Sequence, residues 1–121
     1  MNKNFVSLID AYLPNADRAI VNVEKITDYA LNFEHFEGKN KARVFASVFG
    51  LTKLNAGDLI KAIREVILKT EAVKQSESAY GIKYAVDFEF TFNYKTGTIR
   101  TGWIVEKNDN IPRLITCYVK L

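Results

Sequence analysis

The hydrophobic pattern of the chain changes its period once, near residue 78, and this change limits the possible folds more than any other feature. Before it, apolar residues recur every three or four positions, as in amphipathic helices. After it, the segment YGIKYAVDFEFTFNY at 80–94 alternates apolar and polar residues, as in a half-buried strand. We therefore predict an α+β fold in which N-terminal helices pack on one face of a C-terminal antiparallel β-meander.

The length of 121 residues fits a single domain over 1–121. We place its helical part at about 1–72 and its sheet part at about 78–120, on either side of the change in period. The predicted helices cover 1–15, ending before Pro14, then 22–32 with Asn22 as N-cap, 39–50 with Gly50 as C-terminal stop, and 55–71. Residues 18–21 are either a short strand or an extended segment.

The sheet is predicted to continue past a hairpin turn at NYKTG into strands at TIRTGWIVEK and RLITCYVK. In the last strand, alternation turns Ile115, Cys117 and Val119 towards the helices. Thr116 and Tyr118 then face away from the core. By the same argument Thr101 and Trp103 share one face of the preceding strand, and Arg100 lies on the other.

Charge and cysteine content narrow the functional classes only slightly. A net charge of +3 and a pI near 9.0 are compatible with a nucleic-acid or phosphate ligand. Cys117 is the only cysteine, so no intrachain disulfide can form, and a buried thiol in a reducing compartment is the simplest interpretation. The first apolar segment, FVSLIDAYL, is interrupted by polar residues and predicts neither a secretory signal nor a membrane span.

The sequence contains no recognisable cofactor or metal motif, and we predict neither a cofactor nor a metal site. One histidine and one cysteine cannot form a zinc site by themselves. Asp87 and Glu89 share a strand face and could hold a divalent cation together. Two carboxylates supply few of the ligands that a divalent cation needs, however, and a solvated sheet face is the simpler interpretation.

Candidate chemistry centres on HFEGKNKARVF at 35–45, which combines the only histidine with alternating basic residues. Histidine ordinarily changes its charge near neutral pH, and Lys41 with an arginine could stabilise a phosphate. Hydroxyls on the outer sheet face could help to hold a phosphodiester. This set would suit metal-independent RNA cleavage by attack of the 2′-hydroxyl. Each residue taken alone is more simply explained as part of a solvated surface or a turn.

The chain also resembles an uncharacterised bacterial domain family whose members stand alone or at the C-terminus of longer proteins, including phage head-morphogenesis and polymorphic-toxin proteins. The resemblance runs through LPNADRAIV, KITDYALN, HFEGKNKARVFASVFGLT, YGIKYAVDFE, RTGWIV and PRLITCYV. More loosely, the chain is similar to the ribonuclease toxin group of barnase, EndoU, colicin D and RelE. The family pattern has prolines beside the histidine, where this chain has Phe33 and Phe36.

The resemblance implies a toxin-type, metal-independent ribonuclease with two groups of functional residues. His35 would be the acid or base, Lys41 and Arg113 would bind phosphate, and Thr116 and Tyr118 would position the substrate. The predicted catalytic residues are therefore His35, Lys41, Thr116 and Tyr118, and the predicted substrate-binding residues are Arg43, Arg100, Trp103 and Arg113. RNA, and a cognate immunity or phage protein, would be the partners of a bacterial cytoplasmic protein or a delivered effector domain.

Two other functions stay open. The first is a non-catalytic module that binds a protein or a nucleic acid, for which an exposed Trp103 beside Tyr94 and Tyr118 would supply a stacking surface. The second is an immunity protein that neutralises a toxin. An inhibitor of a basic nuclease is usually acidic, and the charge of +3 argues against this second alternative. The sequence does not indicate the oligomeric state.

Overall fold

The computed structural model of the protein describes residues 12–35 and 38–121. Most of the helix predicted at 1–15 lies outside the described residues. Its described end is not helical, because Tyr12 forms an isolated antiparallel bridge with Glu71, far along the chain. A single 3₁₀ turn, Ala16–Arg18, comes next, so the segment predicted at 18–21 is extended only from residue 19. Ile20 forms an isolated parallel bridge with Arg113. The first described segment therefore pairs with residues far along the chain, Glu71 and Arg113, before the helices begin.

Three helices follow in the order that the apolar spacing predicts. Helix α1 starts as a single α-helical turn, Val23–Lys25, and continues as a π-helical turn, Ile26–Ala30. Helix α2 is Lys39–Phe49, and it ends at Gly50, whose φ of 70° is the left-handed conformation that favours glycine at a helix C-terminus. Helix α3 is Ala56–Val66, which is shorter than the predicted 55–71. Asn22 precedes α1 but forms no side-chain capping bond.

Four antiparallel strands follow in a simple meander, with spatial order β1-β2-β3-β4. They are β1 Val73–Glu77, β2 Gly81–Phe92, β3 Lys95–Glu106 and β4 Pro112–Lys120. The turn between β2 and β3 has positive φ at Asn93 and Tyr94, as hairpin turns of the mirror-image types require. Strand β1 was not predicted from the sequence, because all five of its residues are exposed and its sequence, VKQSE, shows no apolar alternation.

The helices cover one face of this sheet, and the core lies between them. Phe49 at the end of α2 packs edge-to-face on Phe90 of β2, with ring centroids 5.3 Å apart. Trp103 is fully buried in the same layer, and its indole N–H donates to the Thr101 hydroxyl at 2.8 Å. The hydroxyl in turn donates to the Val86 carbonyl at 2.9 Å, so this buried polar pair is satisfied. The predicted α+β class, with helices on one face of the meander, is confirmed.

Both edge strands contain a one-residue bulge. In β1, Gln75 is the extra residue between the pairs Lys74↔Tyr84 and Ser76↔Lys83. In β4, Ile115 is the extra residue between Thr116↔Gly102 and Leu114↔Trp103. The bulge in β4 shows that the predicted inward orientation of Ile115 is wrong. Leu114 is buried in its place and Ile115 is 37% exposed, whereas Cys117 and Val119 point inward as predicted. Among the described helices, none is long and apolar enough to cross a membrane.

Candidate functional site

Lys41, on the first turn of α2, lies at the centre of the candidate site. Its Nζ donates to the Thr116 Oγ1 on β4 at 3.0 Å, across 75 positions of sequence. The same Nζ lies 5.0 Å from the centre of the Tyr29 ring and 5.3 Å from the centre of the Tyr118 ring. Both distances are within the range of cation–π attraction. In the part of the chain that the structure describes, Lys41 has no carboxylate within ion-pair distance.

The register of β3 and β4 explains why two hydroxyls meet Lys41. Gly102 is paired with Thr116, and Arg100 is paired with Tyr118, so all four residues belong to the outer face of the sheet. A Cβ at position 102 would lie 2.7 Å from the Thr116 methyl group, so only glycine leaves the threonine undisturbed there. The outward orientation predicted for Thr116 and Tyr118 is therefore confirmed, and both side chains are half-buried.

His35 reaches this cluster through Tyr29. The two rings pack edge-to-face with their centroids 4.6 Å apart, and Tyr29 also contacts Lys41. The loop can approach α1 this closely because residue 38 is glycine, since a Cβ there would overlap the Tyr29 carbonyl oxygen. The Gly38 N–H donates to His35 Nδ1 at 3.0 Å. A neutral ring that accepts at Nδ1 carries its proton on Nε2.

An ion-pair network continues from Tyr118 across the outer face. Arg100 donates from Nε and Nη2 to the two carboxylate oxygens of Asp87, at 2.8 and 2.9 Å, and Lys120 lies 3.1 Å from the same carboxylate. The Arg100 guanidinium lowers the pKa of Asp87, and Lys120 adds to the effect. The pKa of Arg100 is raised, chiefly by Asp87 and to a lesser extent by Tyr118. Arg100 is therefore a fixed cation beside Tyr118.

Two grooves meet at this cluster. The sheet groove, of about 250 Å³, is open on the outer face and is lined by Gln75, Lys83, Tyr84, Ala85, Arg100, Gly102, Trp103, Ile115, Thr116 and Tyr118. The lysine groove, of about 320 Å³, is lined by Lys25, Tyr29, Lys41, Ile115 and Thr116. Ile115 and Thr116 line both grooves, so the grooves adjoin at β4. A third depression, of about 470 Å³, lies beyond Arg100 against β1.

The remaining predicted substrate-binding residues do not join the Lys41 cluster. Trp103 is 0% exposed, so the hypothesis of an exposed tryptophan that stacks on a ligand is wrong. Arg113 donates to Asp109 at 2.8 Å and lies 3.4 Å from Glu106, and it lines neither groove. Arg43 is exposed two positions from Lys41 and therefore projects from a different side of α2. Of the predicted substrate-binding residues, the structure brings only Arg100 to the cluster.

The surroundings of Asp87 and Cys117 do not favour metal binding or nucleophilic chemistry. The Asp87 carboxylate is paired with two cations, and the described residues include no group of three or more side chains that could hold a metal ion. Cys117 is buried, as predicted, and burial raises the pKa of its thiol to about 12. A thiol with so high a pKa stays protonated at neutral pH and is a poor nucleophile.

Sequence reasoning missed two residues of the cluster. The spacing of Tyr29 fits the core positions of its helix and predicts a side chain that faces inward. In the structure it is half-buried and links His35 to Lys41. Asp87 was considered only as a metal ligand, although strand alternation already placed it on the outer face. Its contact with Arg100 follows from the register Asp87↔Arg100, which the sequence alone does not specify.

Comparison with known proteins supports the fold and the family. A family model described as "Domain of unknown function (DUF6883)" matches residues 12–121. No curated protein matches the sequence significantly. One chain of a solved structure is similar in fold: "Contact-dependent growth inhibition toxin - immunity protein complex from Klebsiella pneumoniae 342". The TM-score is 0.64 at 18% identity, over 84% of this chain and 100% of that chain.

Proposed function

The chain belongs to the domain family of unknown function DUF6883. For this member of the family we propose a metal-independent ribonuclease of the toxin type. The observation that carries the proposal is the environment of Lys41. Lys41 is half-buried, its ammonium group contacts one hydroxyl and two aromatic rings, and no carboxylate of the described chain lies within ion-pair distance of it. A desolvated cation without a counter-ion favours the binding of an anion.

The neighbours of Lys41 favour a phosphodiester as this anion. The Thr116 and Tyr118 hydroxyls can donate to phosphate oxygens, and Arg100 supplies a second positive charge beside Tyr118. In the proposed reaction, the ribose 2′-oxygen attacks phosphorus and the bond from phosphorus to the 5′-oxygen breaks. The products are a 2′,3′-cyclic phosphate and a 5′-hydroxyl. Lys41 and Arg100 stabilise the charge that develops on the phosphate.

His35 would transfer protons in this reaction. The reaction removes a proton from the 2′-hydroxyl and adds a proton to the leaving 5′-oxygen. His35 would carry out one of these two transfers, as a neutral base or as a protonated acid, and water would exchange the other proton. The hydrogen bond from Gly38 to Nδ1 bears directly on this role. While the bond persists, the neutral ring has its proton on Nε2 and cannot accept another proton there. Catalysis at His35 therefore requires the ring to release the Gly38 N–H.

The same hydrogen bond favours a second candidate function, a module that binds RNA without cleaving it. Binding at Lys41 and Arg100 requires no proton transfer, and His35 would then only stabilise the turn that places α2 next to Tyr29. The fold similarity to one chain of a toxin and immunity protein complex does not distinguish the two functions, because that complex contains both a toxin and an immunity protein.

The test is incubation of purified protein with total bacterial RNA in EDTA. We expect discrete fragments that end in 2′,3′-cyclic phosphate. Lys41→Met keeps the length of the side chain without its charge and should slow cleavage roughly 10²- to 10³-fold. Lys61→Met, on an exposed position of α3, is the matched control and should cleave like the wild type. RNA that stays intact with the wild-type protein, both with and without EDTA, would refute the proposed ribonuclease activity. Cleavage that occurs only without EDTA would refute the metal-independent mechanism.

His35→Asn separates the two candidate functions. The asparagine carbonyl can accept the Gly38 N–H in place of Nδ1, but asparagine cannot transfer protons. If His35 is catalytic, this variant should keep the wild-type melting temperature and lose about 10²-fold or more in rate. If His35 only stabilises the turn, His35→Asn should behave like the wild type, whereas His35→Ala should melt at a lower temperature.

A further inference from the structure

A row of small side chains crosses three strands on the outer face of the sheet. Ala85 of β2 is paired with Gly102 of β3, which is paired with Thr116 of β4. The neighbouring row, Asp87, Arg100 and Tyr118, is much larger and forms a wall along one side. The sheet groove is the space above the small row. Its shape therefore results from the residue type at each register position.

The two edge-strand bulges border this same groove. Gln75 is the extra residue of β1, Ile115 is the extra residue of β4, and both line the sheet groove from opposite ends. A bulge turns a side chain away from the direction that regular alternation would give it, and bulges are frequent next to active sites. Two bulges that direct side chains to one groove indicate a built feature rather than two unrelated irregularities.

We propose that the sheet groove binds one unpaired base of the RNA strand whose phosphate lies at Lys41. The inference rests on the proposed RNA function and deepens it by naming the form of the substrate. The groove volume of about 250 Å³ is below the roughly 300–1,000 Å³ of sites for drug-sized ligands, so the groove fits a group about as large as one base.

The lining of the groove has the chemistry that recognises a base. The Arg100 guanidinium is fixed by two hydrogen bonds to Asp87, and the Tyr118 ring lies in the same cross-strand row. Guanidinium planes and aromatic rings both stack on unpaired bases. The Gln75 side chain carries an amide, which can donate to and accept from a base edge. Ala85 and Gly102 form an apolar floor of the sheet groove, and their small size leaves room above it.

The continuity of the two grooves connects the base to the phosphate. Ile115 and Thr116 line the sheet groove and the lysine groove alike, and Thr116 accepts from Lys41. A nucleotide with its base over Gly102 would have its phosphate directed to the β4 edge, where Lys41 lies. A base within a duplex cannot enter the groove without leaving its stack and its pairing partner. The substrate is therefore single-stranded RNA or an RNA loop.

The test uses a short single-stranded 2′-O-methyl oligonucleotide, which cannot be cleaved because the attacking hydroxyl is blocked. One position carries the fluorescent base 2-aminopurine, and a matched oligonucleotide is abasic at that position. We expect the wild-type protein to quench the 2-aminopurine signal by stacking. It should also bind the intact oligonucleotide about 5- to 150-fold more tightly than the abasic one, as measured by anisotropy.

Two variants locate the effect in the sheet groove. Ala85→Val fills the floor and should remove most of the preference for the intact oligonucleotide, and its melting temperature reports whether it still folds. Gln75→Ala, at an exposed position, should lessen the difference in affinity between oligonucleotides that carry different bases. The control is Thr91→Val. Thr91 is exposed on β2, the strand of Ala85, but it does not line the groove, so this variant should bind like the wild type.

The possible failures are distinguishable from those of the proposed function. Base-dependent binding without cleavage of natural RNA would refute the ribonuclease and keep the base site. The intact oligonucleotide annealed to its complement serves as a duplex control. Equal binding of the intact, abasic and duplex forms, or no binding of any of them, would overturn the base site even if natural RNA is cleaved. A folded Ala85→Val protein that binds and quenches like the wild type would overturn it as well.

Discussion

The two faces of the sheet differ in how their side chains are stabilised. On the face covered by helices, apolar side chains pack together, and the buried polar pair Thr101 and Trp103 satisfies its hydrogen bonds internally. On the outer face, cations are held by hydroxyls, aromatic rings and the Asp87 carboxylate, and water can reach the grooves between them. The covered face stabilises the fold, and the outer face has side chains that can exchange partners with a ligand.

This difference between the faces predicts which substitutions should change stability and which should change function. Loss of a buried group removes packing and leaves a cavity, so the free energy of unfolding changes most on the covered face. A half-exposed ion pair contributes little to stability because water screens it. We therefore expect substitutions on the covered face to lower the free energy of unfolding without a specific effect on RNA binding. Substitutions on the outer face should weaken RNA binding and change the free energy of unfolding little.

The largest expected effect is that of Trp103→Ala. The side chain is fully buried, and its loss should lower the free energy of unfolding by about 3–5 kcal/mol. That is a large fraction of the roughly 5–15 kcal/mol typical of a folded domain. Urea denaturation followed by circular dichroism measures it. Tyr94→Ala, at a fully exposed position, is the control and should change stability by less than about 0.5 kcal/mol. Similar values for the two variants would contradict the assignment of Trp103 to the core.

Thr101→Val should have the next largest effect. Valine has nearly the same shape as threonine, but it cannot accept from the Trp103 indole or donate to the Val86 carbonyl. Two buried polar groups would lose their partner, which should cost about 1–3 kcal/mol of unfolding free energy. Thr98→Val, half-exposed on the same strand, is the matched control for the change of residue type. An equally small cost for both would mean that the buried hydroxyl contributes nothing beyond its volume.

The covered face was also the part that could be predicted from sequence. Periodicity identifies the elements because burial selects apolar residues at every second or every third to fourth position, as at Phe88 and Phe90 or Phe45 and Phe49. Strand β1 escaped prediction because it is exposed and has no such signal. Ile115 was assigned to the wrong face because a bulge interrupts alternation without any mark in the residue pattern.

The candidate site was predicted only in part, since it depends on contacts between distant segments. Alternation placed Thr116 and Tyr118 on the outer face, and the basic run indicated Lys41. The bond from Lys41 to Thr116 spans 75 positions and follows from how α2 lies against β4, which local patterns do not contain. For the same reason, Arg100 and Arg113 are both predicted to bind substrate, although the structure brings only Arg100 to the cluster.

Asp87→Asn should have a smaller and pH-dependent effect on stability. Because Arg100 lowers the pKa of Asp87 below its ordinary value of 3.8, the carboxylate contributes fully above that value. The contribution is lost as the pH falls through the lowered pKa. Near pH 7 the variant should be less stable than the wild type by up to about 1 kcal/mol, and the difference should vanish in strong acid. Urea denaturation at a series of pH values measures it.

The matched control for Asp87→Asn is Glu89→Gln, which removes an exposed carboxylate from the same face of the same strand. It should not reproduce the pH-dependent difference in full. If both variants follow the same curve, the effect comes from net charge rather than from the pair of Asp87 with Arg100. If the difference for Asp87→Asn grows in acid, the sign of the pKa shift is wrong.

The smallest expected effect distinguishes the two arginines. Arg113 is paired with Asp109 and Glu106 and is 42% exposed, so Arg113→Met should cost no more than about 1 kcal/mol of stability. It should leave the affinity for the 2′-O-methyl oligonucleotide nearly unchanged, whereas Arg100→Met should weaken it, because only Arg100 borders the sheet groove. Equal weakening by both variants would restore the phosphate-binding role that the sequence resemblance implied for Arg113. The RNA would then extend along β4 towards Asp109, and the outer face would bind it over a longer path than the two grooves.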